Sequence, residues 1–213
     1  MGRTNVAVTL VAALILAGGI LASNMGFRRV LQLKAADGGE ESLSGVNRLG
    51  LPYVPQPGMV TVADLWDDMV AQGVEIQEIR RYDSATDQEI VYFDGQPDFP
   101  LQPGAGYLVK VGSDHDYTVM GSHSPGASLT LHGPGPQSAN GTHMIALPYH
   151  ALARTASDLF KEIGSASIVN VQKYDPATDA YQVYAAGLQD FPLVPGDVAK
   201  VKVSSRVDFV PAH

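Results

Sequence analysis

The chain is written twice, and nothing else in it restricts the fold as much. Leu51-Pro52-Tyr53 returns as Leu147-Pro148-Tyr149, and Tyr82-Asp83-Ser84-Ala85-Thr86-Asp87 returns as Tyr174-Asp175-Pro176-Ala177-Thr178-Asp179. Asp98-Phe99-Pro100-Leu101 and Pro103-Gly104 return as Asp190-Phe191-Pro192-Leu193 and Pro195-Gly196. The spacing is 96 residues at the first motif and 92 at the others, so the copies differ by small insertions only. Met25-Gly26 and Met120-Gly121 open the two copies and set module boundaries at 25–119 and 120–213. What recurs is apolar positions, turns and caps, with no cluster of reactive side chains. A repeated fold without repeated chemistry points to a module that binds, spaces or assembles.

The first 23 residues read as a targeting segment. Val6 to Ala22 is an apolar run of 17 residues, preceded by Arg3 and followed by Ser23-Asn24. That is the pattern of a secretory signal, and it is short for a spanning helix, which needs roughly 20 apolar residues. The alternative is an uncleaved anchor, the one route by which the chain would hold a membrane. Both readings export the remainder to the cell surface or the extracellular space.

Charge narrows the partners. The chain holds 14 Lys/Arg against 22 Asp/Glu, a net of −8, which disfavours nucleic acid and anionic membrane surfaces. The imbalance is uneven. Residues 25–119 carry 7 basic and 15 acidic side chains, whereas 120–213 carry 6 and 7. Two copies of one fold therefore present different surfaces. There is no cysteine, so disulfides, covalent haem and iron–sulfur clusters are excluded. No cofactor is expected.

Each copy has the same local grammar. Thr61 and Thr155 stand as helix N-caps with Asp64 and Asp158 three residues on, a capping-box spacing. Val62, Leu65, Trp66, Met69 and Val70 make one apolar stripe, matched by Ala156, Leu159, Phe160 and Ile163. Gly73 and Gly164 stand where a left-handed residue ends a helix. The remaining segments alternate as strands, giving the order β–β–α–β–β–β–β in each copy. The expected class is α+β: two tandem copies of a small module, each with one helix packed on a mostly antiparallel sheet.

Candidate chemistry is sparse. The Asp-x-Ala-Thr-Asp loops offer carboxylates to calcium through Asp83, Asp87, Asp175 and Asp179, a ligand type that ion favours. The same residues are what a hairpin turn requires, and turn is the expected role. The words resemble part of a kelch blade, but two units of this length, each with a helix, do not make a propeller. Histidines 115, 123, 132, 143, 150 and 213 lie outside the helical stripes, where paired metal ligands would sit. No hydrolase elbow, phosphate loop or dinucleotide fingerprint occurs, and no enzyme activity is expected. Trp66, Tyr53, Tyr82, Tyr92 and Tyr107 could build a sugar-stacking platform, although Trp66 on the helix stripe is expected in the core.

Ser23-Asn24-Met25-Gly26-Phe27 after the signal, the Leu-Pro-Tyr strand, the Tyr-Asp-x-Ala-Thr turn and the Pro-Gly-x-Gly-Tyr strand resemble a group of secreted bacterial tandem-repeat proteins. The resemblance covers nearly all of the chain beyond the signal. It implies a bacterial exported module and carries over no catalytic or ligand residue. One departure stands out: Asp197-Val198-Ala199 replaces Ala105-Gly106-Tyr107. The expectation is a non-enzymatic exported structural or interaction protein, self-assembling at the cell surface or into extracellular filaments. Phe27 to Leu33 and Val207 to Val210 are the strands expected to pair between subunits. The alternative is a secreted glycan- or calcium-binding module.

Overall fold

The computed structural model describes residues 26–37, 40–122, 128–149 and 151–212. The targeting segment lies outside them, as do His123, His150 and His213. Thirteen strands and two helices follow one another in the described residues. The first half contributes β1 (Gly26–Leu33), β2 (Val46–Gly50), β3 (Val54–Pro55), α1 (Val62–Ala71), β4 (Ile76–Asp83), β5 (Gln88–Tyr92), β6 (Gly106–Val111) and β7 (His115–Ser122). The second contributes β8 (Leu129–Leu131), β9 (Thr142–Ala146), α2 (Ala156–Ile163), β10 (Ile168–Asp175), β11 (Ala180–Tyr184), β12 (Val198–Val203) and β13 (Val207–Phe209).

The expected α+β class is corrected. The chain is mostly β, 44% strand and 10% helical, with two helices and four antiparallel sheets. The physical reason is what covers each sheet. The sheets β2-β6-β4-β5 and β11-β10-β12-β9 each present one face to their own half and the other to the opposite sheet. Val46, Tyr82 and Leu108 from the first sheet meet Met144, Tyr174 and Val198 from the second in one buried cluster. Sheet against sheet is the central layer, and helices of 10 and 8 residues are minor elements beside it. Two smaller sheets, β1-β7-β3 and β13-β8, add strands rather than helix.

Each helix is held by its ends. The Thr61 side chain accepts from the Asp64 N–H while Asp64 accepts from the Thr61 N–H, and Thr155 accepts from Asp158 N–H. The recurrent Asp-Phe-Pro-Leu motif supplies the remaining partners. Phe99 and Phe191 carbonyls accept from Val62 and Ala156 N–H at 2.9 Å in both halves, and Asp98 and Asp190 accept from Ala63 and Ser157 N–H. Orphan amides of a helix start are thereby satisfied from a distant loop.

The seam is tight enough to demand glycine. A Cβ on Gly50 would sit 2.3 Å from the Gly196 carbonyl oxygen, a backbone atom with little freedom to yield. Gly50→Ala is therefore expected to cost about 1–3 kcal/mol, the range for overpacking. A urea midpoint equal to that of the parent chain would show that the halves do not approach so closely.

The two strands expected to bridge subunits are paired internally. β1 runs antiparallel to β7 from Gly26↔Ser122 to Leu33↔His115, and β13 pairs with β8. Leu33 and Phe209 are buried in the cores of their own halves, so these segments are structural members of the chain that carries them.

Candidate functional site

The four calcium candidates fall into two separate turns, and their oxygens are committed there. Asp83 accepts from the Ala85 N–H at 3.1 Å and the Thr86 hydroxyl at 2.8 Å. Asp175 accepts from the Ala177 N–H at 3.1 Å. Asp87 and Asp179 adopt left-handed backbone, φ 57° and 51°, a conformation Asp tolerates better than most side chains. Each accepts a phenol proton, from Tyr82 and Tyr174 respectively. Burial first, then the adjacent carboxylate, pushes both phenols up to about 12. Among the described residues no group of three or more His, Cys, Asp or Glu is placed to hold a metal ion.

His143 is a strand clamp. Its Nε2 lies 2.9 Å from the His132 amide nitrogen and 2.8 Å from the His132 carbonyl oxygen, and its Nδ1 is 3.3 Å from the Ser84 hydroxyl. In the first half Asn47 does the same work on Lys34. Its Oδ1 accepts from the Lys34 N–H at 2.8 Å and its Nδ2 donates to the Lys34 carbonyl at 2.9 Å. An amide satisfies both backbone groups together, whereas one imidazole nitrogen serves only one of them. Burial holds the His143 imidazole below its ordinary value of 6.5.

The unfolded chain therefore protonates this histidine at higher pH than the folded one. The stability it contributes is complete above about pH 6.5 and declines as pH falls through that value. His143→Asn is expected to remove that part of the pH dependence. It should also stabilise at pH 7 by about 0.5–1.5 kcal/mol, one net hydrogen bond. Thermal melts of the two chains at pH 5 and 7 check this; an unchanged pH dependence in the variant would contradict it.

The aromatic candidates do not form one platform. Trp66 is half-buried at the rim of the first core, edge-on to Tyr92 at 5.7 Å, and Tyr92 is edge-on to Phe99 at 6.4 Å. Tyr107 is fully buried in that core. Tyr82 faces the seam, where the Lys200 ammonium lies 4.3 Å from its ring centre. Tyr53 and its counterpart Tyr149 pack their rings over Gly104 and Gly196, whose φ values of 72° and 82° suit glycine. Since Trp66 keeps part of its surface in water, Trp66→Ala is expected to cost less than the roughly 3–5 kcal/mol of a fully buried aromatic. A loss within that range on denaturant titration would show a deeper position.

Sequence reasoning missed the seam's charge cluster. The Asp197 side chain is 8% exposed and lies 3.0 Å from Lys173 Nζ and 3.6 Å from Arg48 Nη2. It also accepts from the Val194 N–H at 3.0 Å. Arg48 belongs to β2 of the first half, so the pair crosses between halves. Burial lowers the Arg48 pKa, opposed by Asp197, and its Nη1 is buried without a hydrogen-bond partner. The available signal was the departure itself: Asp197 stands where the first copy has Ala105. A cleft beside this cluster is lined by Arg29, Lys34, Arg48, Glu41 and Asp197. Its charges are largely answered, with Lys34 2.6 Å from Glu41 and Arg29 over the Tyr149 ring at 5.5 Å.

Backbone bonds stitch the same places from both sides. The Leu43 N–H donates to the Pro176 carbonyl at 2.7 Å, and the Ala139 N–H donates to the Ser84 carbonyl at 2.8 Å. Each Asp-rich turn thus receives a loop from the opposite half. Ser44 adds a bond to Asp179 at 3.1 Å, and Tyr149 donates to the Gly50 carbonyl at 3.0 Å. These recurring motifs act as docking points inside the molecule. What the seam leaves outside are the strand edges. β5 and β11 end their sheets, and Val91, Phe93 and Val183 are 37%, 46% and 42% exposed there.

The chain matches no protein-family model, no curated protein and no solved structure. Among the described residues no helix is long and apolar enough to cross a membrane.

Proposed function

We propose that the chain is a non-enzymatic, exported structural or interaction protein that associates with copies of itself. The observation that carries this reading is the pair of open sheet edges, β5 and β11, with apolar side chains exposed beside them. An open edge displays unpaired backbone donors and acceptors, a template for another strand. Support comes also from how the polar groups are used: the Asp turns, His143 and Asp197 serve bonds within the fold. The acidic first half sets the electrostatics of association. Screening reaches about 8–10 Å at physiological ionic strength, so salt relieves repulsion between first halves and favours assembly.

Light scattering on purified protein across salt concentrations tests the reading. The expected result is a mass above the monomer that rises with salt and with protein concentration. A monomer under every condition rejects it, and titrations with glycans and calcium then become the next experiments.

A further inference from the structure

We infer that the outer edge of β11 is the self-association surface, and that its occupant is β11 of a second copy, antiparallel across a two-fold axis at Gln182. This rests on the self-association reading above and names its contact. The strand Ala180-Tyr181-Gln182-Val183-Tyr184 ends the sheet β11-β10-β12-β9 and pairs on one side only, with β10. Exposed strand edges are commonly guarded by charge, proline or a bulge. β5 carries Glu89 and β1 carries Arg28 and Arg29, whereas the five residues of β11 carry no charge, glycine or proline.

The sequence of this edge is complementary to itself. With Gln182 opposite Gln182 of the second copy, Tyr181 meets Val183 and Ala180 meets Tyr184. Aromatic and β-branched side chains directly across an antiparallel pair stabilise one another, and two facing amides can exchange hydrogen bonds. Val183, 42% exposed, would be covered. A shallow groove lined by Gln182, Val183, Asp190 and Phe191 runs beside the strand, with Leu188 exposed nearby.

Charge favours this edge over its counterpart. Residues 120–213 hold 6 basic and 7 acidic side chains, against 7 and 15 in 25–119. A two-fold contact through the second half brings nearly neutral surfaces together, while pairing through β5 would set the acidic half against itself. An isologous contact closes at the dimer, so longer assemblies need a second surface. A five-residue ladder belongs with small, concentration-dependent interfaces.

The test is a charge exchange at one exposed position. Gln182→Lys and Gln182→Glu each place like charges face to face, and each chain is expected to sediment as a monomer at concentrations where the parent is a dimer. Mixing the two should restore a dimer, seen as the mixed mass by native mass spectrometry. Unchanged circular dichroism confirms that the variants fold. If Gln182→Lys still dimerises like the parent, the β11 contact is overturned while self-association stands. Two monomeric variants that fail to recover on mixing also overturn the register. A parent chain that is monomeric throughout overturns both readings.

Discussion

Asp197→Ala is expected to destabilise the protein by about 3–5 kcal/mol, the cost of removing one partner from a buried ion pair. The carboxylate lies between Lys173 and Arg48, whose side chains are 16% and 20% exposed. Without it, two cations face each other across the seam and the Val194 N–H loses its acceptor. The cost arises from what is left behind, so replacing the whole cluster should be far milder. A chain with Asp197→Leu, Lys173→Met and Arg48→Met is expected to recover most of the loss, because packed apolar groups of similar volume often equal a buried pair. Denaturant titration of the single and triple variants distinguishes the cases. A single variant within about 1 kcal/mol of the parent would mean that water reaches the pair and screens it.

Leu108→Ala is the second large effect, expected at about 2–5 kcal/mol for a buried leucine that leaves a cavity. Leu108 is 3% exposed and sits in the cluster shared by both sheets. The seam makes the halves depend on each other, so they should unfold together. Trp66 is the single tryptophan and reports on the first half, while far-ultraviolet circular dichroism reports on both. The two signals are expected to share one midpoint in the parent and in the variant, as a two-state unit requires. Separate midpoints in the parent would show that the seam does not couple the halves.

Leu108 also shows where the sequence stopped being legible. In β6, Tyr107 and Val109 point into the first core, and alternation assigns Leu108 to the opposite face. Reading along one strand, an outward position is expected to meet water. Here it meets Val198 and Met144 from a sheet almost a hundred residues away, a long-range fact that local periodicity does not carry. The expectation of α+β rested on giving each sheet a single covered face, and sheet-on-sheet burial is what overturned it.

Local features were read more successfully because their causes are local. Thr61 and Asp64 form the reciprocal cap, and Gly73 and Gly164 take positive φ at the helix ends. Asp83 and Asp175 hold their turns. The site is a different matter. Asp197 was visible as a departure between copies, but its partners Arg48 and Lys173 come from other strands. His143 and Asn47 clamp equivalent strands with different chemistry, an equivalence that residue type hides. The strands expected to join subunits were legible as strands, and their partners β7 and β8 were not.

Sedimentation velocity of the purified parent chain over a wide concentration range tests the central claim most directly. The account expects a single boundary that moves reversibly from monomer toward dimer as concentration rises, with the shift strengthened by salt. A boundary that stays at the monomer position at every concentration and every salt would contradict it.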